Sequence, residues 1–423
     1  MQSPPVPITR GEHLAFLEVL GSMRANDARW TPTMAGFVTV RLVDKWAEAL
    51  RGWLAPRPSE VAAVRDAIDK VAAGPARNAL TAIVDAITQA WGRRRSQVSA
   101  RLLSYASLLY DSGEWALSAD IYRTFLSLAS SDNETDLVMH AWHRIGLCEG
   151  WLGRYSEAQA AHETARALAS VSGERYIALA AEHGLALVTL RRGNLPQADE
   201  RFSAVIAECE KHMGDEPALV HVLVGALHDQ GAAAIQRGDL DRAIALLARA
   251  LEEASDQRSR DQILLDVATA FLDMGLLDTA RRAYLVVEVT AQEASNRWIA
   301  CLNLMHLATL DGAETVFERY RQTLSGESLP PRLAVYYQIK LGEAFRRFGR
   351  APQARQAFDR AVVLAERHQL NRELMEAETA RDAIPEHAPS NPEPAEPIEL
   401  GETTKRVRDA IELMSAELAG AGV

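Results

Sequence analysis

Histidine and cysteine are the residue types of this chain that could bind a metal ion or take part in redox chemistry. His140 and His143 would share one face of a helix, but two ligands make an incomplete zinc site and no third ligand lies within sequence reach. Cys148, Cys209 and Cys301 are far apart, and their spacing fits neither a metal centre nor a redox motif. The sequence therefore predicts three buried free thiols, no metal site and no cofactor.

Motifs of enzyme chemistry are also missing from the sequence. There is no phosphate-binding glycine loop, no nucleophile elbow, no His-Glu-x-x-His and no Cys-x-x-Cys. The formal net charge of −11 does not favour nucleic acid or anionic lipid as a partner. No run of about 18 apolar residues suggests a membrane span, and the N-terminus lacks the apolar core of a signal peptide. We expect a cytoplasmic protein that is not an enzyme.

A pattern that recurs along the chain indicates which elements position the side chains. In each copy a glycine is followed by an aromatic residue or leucine, and then by a small residue. The glycines are Gly113, Gly153, Gly193, Gly238, Gly275 and Gly349. They lie 37 to 45 residues apart, except that the last interval is twice 37, which predicts an eroded copy at Gly312. Glycine can end a helix in a left-handed conformation, and the small residue seven positions before it marks a close helix crossing.

This pattern resembles the tetratricopeptide repeat, over residues 99–370 and most closely over residues 142–165. The intervals are longer than the usual 34 residues of that family and are similar to those of bacterial signalling regulators. The resemblance implies an all-α fold, a right-handed superhelical solenoid of antiparallel helix pairs. It also implies a concave groove that is lined by the first helix of each pair.

The segments outside the repeats complete the predicted organisation of the chain. Residues 1–98 do not repeat and are predicted to form an N-terminal helical domain that caps the first repeat. Residues 99–384 are predicted to form about seven repeats. Residues 385–401 are rich in proline and glutamate and indicate a linker, and residues 402–419 indicate an amphipathic helix.

The resemblance also suggests which side chains line the groove. The residues predicted to do so are His143, Leu147, Trp151, His183, Leu187, Leu190, His228 and Ile235. Three consecutive repeats contribute a histidine, which predicts a polar strip that could bind a peptide carboxylate or report pH. The alternative is coincidence, with each histidine bonded locally. The lysine and asparagine set that clamps a terminal carboxylate in chaperone adaptors is missing, since Leu103 and Ser107 occupy comparable places.

The function implied by the resemblance is that of a scaffold or adaptor that binds a partner protein or peptide in the groove. The alternative is a regulator whose solenoid senses a peptide or other ligand and changes conformation. Arg191, just before a helix-ending glycine, is predicted to interact with the helix C-terminus.

The predicted C-terminal helix has a narrow apolar seam formed by Val407, Ile411, Met414 and Leu418. Such a seam is too narrow for a core of its own and needs another surface. The surfaces predicted for it are the groove, where it would compete with the partner, the exposed end of the last repeat, or a second chain. The remaining alternative is a disordered tail.

Overall fold

The structure is a computed structural model that describes residues 12–23, 27–52, 55–89, 95–129, 134–327, 329–368, 370–382 and 400–420. These residues form twenty α-helices and one 3-10 turn, and they contain no strand. The predicted all-α class is therefore confirmed. The chain divides into two compact units, residues 1–197 and residues 198–423.

The first unit contains nine complete helices. They are α1 (Leu14–Ser22), α2 (Trp30–Ala49), α3 (Pro58–Asp69), α4 (Pro75–Gln89), α5 (Arg95–Asp111), α6 (Trp115–Leu128), α7 (Thr135–Trp151), α8 (Tyr155–Ser172) and α9 (Arg175–Arg191). Helix α10 (Leu195–His212) begins in the first unit and continues into the second.

The second unit contains the remaining helices and the 3-10 turn Pro217–Leu219. The helices are α11 (Val220–Gln236), α12 (Leu240–Glu253), α13 (Gln257–Asp273), α14 (Leu277–Thr290), α15 (Ala294–Leu310), α16 (Glu314–Ser325), α17 (Pro331–Arg347), α18 (Ala351–Arg367), α19 (Asn371–Asp382) and α20 (Glu402–Gly420). From α5 to α18 the helices alternate as first and second members of pairs.

The glycines of the recurring pattern end helices, as predicted. All seven, including Gly312, have φ between +70° and +83°. At Gly153 the backbone N–H of Arg154 donates to the carbonyl oxygen of Glu149 over 2.9 Å and closes the last turn of α7. At Gly312 the N–H of Ala313 donates to Ala308 in the same way. The eroded repeat predicted at this position is confirmed.

The small residues on the first helices lie where each pair crosses. A Cβ atom on Gly342 would lie 2.5 Å from the Phe358 ring, and a Cβ atom on Gly231 would lie 2.8 Å from Leu247. The partner side chains are fully buried. Close packing at these crossings therefore requires a residue without a side chain.

The N-terminal helices share a hydrophobic core with the first repeats. Phe16 of α1 and Trp46 of α2 belong to the same buried cluster as Leu102 of α5 and Phe125 of α6. The predicted domain boundary at residue 98 falls within α5. The three cysteines are buried and unpaired, as predicted.

In the second unit the first helices form one layer and the second helices the other. Helix α13 contacts both α11 and α15, which are the first helices of the neighbouring pairs, and α15 contacts α17. Each of the second helices α12 and α14 contacts the first helix of the following pair. This arrangement is that of a helical-repeat solenoid.

The C-terminal helix α20 packs against α12 and α14, two second helices. Ile411 is buried, and Val407, Met414 and Leu418 are half-buried, so the predicted seam faces the protein. Two of the docking surfaces predicted for it, the first-helix groove and the end of the last repeat, were wrong, because α20 packs on second helices in the middle of the second unit's sequence. Pairing with a second chain stays a prediction. The contact with the second helices buries Ile411 and includes a hydrogen bond that Thr404 donates to the Asp241 carboxylate. Most of the predicted linker, residues 385–401, lies outside the described residues.

One helical segment of the described residues, Pro217–Gln236, is long and apolar enough to cross a membrane. This segment is an exception to the expectation from the sequence that no apolar run is long enough to span a membrane. More than half of its most apolar window (56%) is buried inside the protein, as in a core helix of a solenoid.

Candidate ligand-binding face of the first unit

Six of the eight predicted groove residues lie together in the first unit. They are His143, Leu147 and Trp151 of α7, and His183, Leu187 and Leu190 of α9. Steps of three and four residues place each set along one side of its helix, and α7 contacts α9. Five of the six side chains are half-buried, and Trp151 is 37% exposed. We call this surface the first-unit face.

The other two predicted residues, His228 and Ile235, lie on α11 in the second unit. Nε2 of His228 is 2.8 Å from Oδ2 of Asp266 on α13. Burial acts to lower the pKa of His228, but the hydrogen bond to Asp266 and its charge outweigh burial and raise the pKa. His228 is therefore paired locally with Asp266, and its environment differs from that of the histidines on the first-unit face.

Trp151 is the centre of an aromatic and cationic cluster at the end of α7. Its ring stacks on Trp115, with ring centroids 5.2 Å apart and an interplanar angle of 15°. The guanidinium carbon of Arg191, at the end of α9, lies 4.0 Å from the centre of the Trp151 ring. The indole Nε1–H donates a hydrogen bond of 3.1 Å to the hydroxyl oxygen of Tyr110 on α5. Three successive first helices thus contribute to one cluster.

The second arginine of this cluster is Arg144, which lies on α7 one helical turn after His140. Its guanidinium carbon lies 4.8 Å from the centre of the Tyr110 ring. The space for Arg191 depends on Gly150, where a Cβ atom would lie 2.8 Å from Nη1 of Arg191. Contacts of a guanidinium with an aromatic face fix the position of the charge without neutralising it.

A buried histidine lies beneath the first-unit face. His162 of α8 is 1% exposed, and Cβ atoms on Gly146 of α7 and Gly184 of α9 would lie 2.6 Å and 2.3 Å from its ring. The ring centroid of His143 is 5.2 Å away. Nδ1 of His143 and Nδ1 of His162 have no hydrogen-bond partner among the described residues. His162 occupies the position that Tyr122, Phe202, Tyr284 and Phe358 fill in other pairs.

Two of the histidines at this surface, His143 and His162, have pKa values lowered by burial. Burial is the main cause that lowers the pKa of His143, and His162 and Arg144 lower it further. Burial likewise lowers the pKa of His162 to about 3, with contributions from His183 and Arg191. His143 and His162 are therefore neutral at neutral pH.

Sequence reasoning missed four residues of this cluster: Tyr110, Trp115, Arg144 and Arg191. Arg191 lies in the last turn of α9, where the sequence places it, and its guanidinium also packs on Trp151. A signal was present for Trp115, which opens α6 directly after a helix-ending glycine turn. No such signal marks Arg144, because its role depends on which ring of the preceding pair faces it.

The structure gives less support to two other kinds of site, a metal site and a ligand-binding cavity. Among the described residues, no group of three histidine, cysteine or acidic side chains is placed to hold a metal ion. A cavity of about 740 Å³ lies beside α2 and α3 in the first unit. Its lining carries four carboxylates and three basic side chains, with Lys45 paired to Glu60, so the charges of the two signs largely offset each other.

No protein-family model matches this chain, and no curated protein matches it in sequence. Solved structures with a similar fold are nevertheless found. The Rap conjugation gene regulator of plasmid pLS20, in complex with the Phr* peptide, has a TM-score of 0.53 at 13% identity, and the match covers 80% of this chain and 98% of that chain. NprR in complex with its cognate peptide NprX has a TM-score of 0.51 at 13% identity, with 83% and 91% covered.

A Rap protein complexed with Competence and Sporulation Factor gives a TM-score of 0.50 at 11% identity, with 82% of this chain and 99% of that chain covered. At these identities the likeness establishes the fold. The predicted resemblance to tetratricopeptide-repeat proteins is confirmed at that level: the chain is a right-handed, all-α solenoid of antiparallel helix pairs.

Proposed function

We propose that this protein is a regulatory or adaptor protein that binds a peptide, or an extended segment of a partner protein, on the first-unit face. The observation that carries the proposal is the cluster of Trp151, Trp115, Tyr110, Arg144 and Arg191, which joins the ends of three successive first helices. The activity we propose is binding and not catalysis, in the cytoplasm, with no cofactor.

The composition of the cluster supports this role. Tryptophan, tyrosine and arginine are the side chains that contribute most at protein interfaces, since they combine a large apolar area with polar groups. Leu147, Leu187 and Leu190 supply apolar contacts beside the cluster. A peptide in an extended conformation could contact α5, α7 and α9 in turn.

A second candidate is a sensor whose solenoid changes conformation when the peptide binds. It is favoured by the similar structures, which are of regulators in complex with peptides named NprX, Phr* and Competence and Sporulation Factor. In such a protein the ligand would bind with different affinities to two arrangements of the helix pairs. An adaptor would keep one arrangement. Small-angle scattering with and without a selected peptide separates the two candidates.

The proposal is tested by selecting linear peptides from a phage-displayed random library on the intact chain. Trp151→Ala and Leu187→Asp should each weaken binding of the selected peptides by about tenfold or more, the scale of an interface hot spot. Val171→Asp is the matched control, because Val171 on α8 is 90% exposed and lies outside the face. Peptides that bind all four proteins equally, or the absence of any selected peptide, would refute the proposal.

A further inference from the structure

Helix α20 does not continue the alternation of first and second helices that precedes it. Helix α19 packs on α17 and α18 as a first helix would, so a second helix would be expected to follow and pack on α19. Helix α20 packs instead on α12 and α14, far earlier in the chain. We call the surface beneath it the α12–α14 surface. The helices that form it have their own partners along the solenoid, since α12 also packs on α11 and α13, and α14 on α13 and α15.

Helix α20 is attached to this surface by few buried side chains. Thr404 and Ile411 are its buried residues, whereas α12 buries five residues and α14 buries six. The rest of the seam is half-buried, and Leu413 is 61% exposed. Because the free energy that holds a helix in place follows the apolar area that it buries, α20 can detach while the helix pairs beneath it stay folded.

The polar contact of α20 is made at an aspartate in the first turn of α12. Asp241 is the third residue after the helix-ending Gly238, and Asp278 has the same place after Gly275 in α14. The two carboxylates nevertheless have different partners. Oδ1 of Asp278 is 2.6 Å from Nη1 of Arg281, on the same helix.

Helix α12 has no arginine at the position that corresponds to Arg281, because Ile244 stands there and is fully buried. The Asp241 carboxylate accepts a hydrogen bond from the hydroxyl group of Thr404 on α20 instead. Thr404 and Ile411 are seven residues apart, about two helical turns, so both lie on the face that α20 turns to the protein. The α12–α14 surface therefore recognises a helix at two points, one polar and one apolar.

We propose that the α12–α14 surface is a binding site for an amphipathic helix of a partner protein, and that α20 is a tethered competitor for that site. The partner helix carries serine or threonine in its first turn and isoleucine or valine seven positions later, which is the pattern by which α20 docks. Binding of a helix through its apolar face is a common mode of recognition. The site lies in the second unit and does not depend on the function proposed for the first-unit face.

The connection to α19 explains how a weakly attached helix can keep the site closed. Residues 383–400 join α19 to the start of α20 and hold it near the surface at an effective concentration on the order of millimolar. A modest affinity is then enough for α20 to occupy the surface in its own chain. A partner helix with a higher affinity displaces it.

The test uses the full-length chain and a fluorescein-labelled peptide that corresponds to residues 400–420. In Ile411→Asp the α12–α14 surface is open, and fluorescence anisotropy should show binding of the peptide. The wild type should bind the peptide at least about tenfold more weakly, because its own α20 competes. Leu413→Asp is the matched control, since Leu413 is exposed and α20 should stay docked. Thr404→Asp opens the surface by a second route, because it places a carboxylate against Asp241.

The polar point of recognition is tested with a second peptide that carries Thr404→Ala. It should bind the Ile411→Asp chain about tenfold more weakly than the first peptide, the scale of a hydrogen bond to a charged group. When the chain also carries Asp241→Ala, the two peptides should bind equally. Asp278→Ala is the matched control, because the Asp278 carboxylate is paired with Arg281, and it should leave the tenfold difference in place.

A third peptide tests whether the pattern alone is recognised. It is a helix of alanine, glutamate and lysine that carries only the threonine and the seam residues of α20. It should bind the Ile411→Asp chain with an affinity close to that of the first peptide, because a partner protein would share the pattern and not the sequence. Circular dichroism of each variant chain shows that it is folded.

Four outcomes would overturn the inference. Amides of α20 that stay protected from exchange in folded Ile411→Asp would show that α20 does not detach. Equal binding of the first peptide to the wild type and to Ile411→Asp, or binding to neither, would show that the surface is not a helix-binding site. If the alanine-based helix does not bind, the surface is specific for α20 itself. A dimeric wild type in analytical ultracentrifugation would assign the site to α20 of a second copy and not to a partner protein.

Discussion

The hydroxyl group of Thr404 donates a hydrogen bond of 2.6 Å to Oδ1 of Asp241 and joins the first turn of α20 to the first turn of α12. Gly401 lies against the same carboxylate, since a Cβ atom there would be 3.2 Å from Oδ1. The ion pair between Arg406 and Glu252 is exposed on both sides and contributes little. Docking of α20 therefore depends on Thr404 and on the buried side chain of Ile411.

The first prediction concerns the attachment of α20. Ile411→Asp places a charge at a position that is 1% exposed, so we expect α20 to leave α12 and α14. Amide hydrogen exchange of residues 403–419 should then approach the rate of a free peptide. Leu413→Asp is the control, because Leu413 is 61% exposed on the same helix and should leave the exchange rates unchanged. Retained protection in Ile411→Asp would show that the seam does not hold the helix.

The second prediction concerns the turn after α7. Gly153 has a φ of +74°, which a β-branched residue adopts only with strain. Gly153→Val should therefore lower the free energy of unfolding by about 1–3 kcal/mol, measured by urea denaturation. Gly214→Val is the control, because Gly214 lacks a positive φ and has open space around its Cβ position. Equal stability of the two variants would contradict the role of Gly153 as a helix stop.

The features predicted correctly from the sequence are those that repeat. Gly153 and Gly312 could be recognised because every first helix ends in the same left-handed backbone conformation, which favours glycine each time. Arg144 and Arg191 could not, because their positions depend on rings contributed by other helix pairs. The docking of α20 could not be predicted either, since an apolar seam such as Val407 and Ile411 fits any complementary surface. The hydrogen bond from Thr404 of α20 to Asp241 joins residues that are 163 positions apart in the sequence.

The third prediction concerns the packing of His162 against Gly184. Gly184→Ala would place a Cβ atom 2.3 Å from the His162 ring, so we expect a loss of roughly 1–3 kcal/mol in unfolding free energy from overpacking. In a His162→Ala background the same change should cost much less, because the ring is gone. Tryptophan fluorescence is a suitable probe, since seven of the eight tryptophans lie in residues 1–197.

Gly21→Ala serves as the control for this cycle. Gly21 lies within α1, and nothing approaches its Cβ position within 4 Å, so alanine there should be neutral or stabilising. Additive losses in the Gly184 and His162 double variant would mean that the two residues do not constrain each other.

The last prediction rests on a buried histidine that connects α1 to the rest of the first unit. His13 is 6% exposed, with Nδ1 at 2.5 Å from Asp120 of α6 and Nε2 at 2.7 Å from Asp44 of α2. Burial acts to lower the pKa of His13, but the hydrogen bonds and charges of the two carboxylates outweigh it and raise the pKa from 6.5 to about 9. Both ring nitrogens are thus protonated donors at neutral pH.

Between pH 6.5 and about 9 the folded chain retains a proton on His13 that the unfolded chain has released. The stabilisation is therefore complete below pH 6.5 and is lost as the pH rises through the folded pKa, at a slope of at most about 1.4 kcal/mol per pH unit. His13→Gln should lower the stability of the first unit by up to about 3 kcal/mol at pH 6, measured by urea unfolding with tryptophan fluorescence. The difference from the wild type should shrink towards pH 9. His221→Gln, at an exposed histidine of α11, is the control and should show no such dependence on pH. A loss of stability in His13→Gln that is the same at every pH would mean that the imidazolium charge does not hold α1 in place.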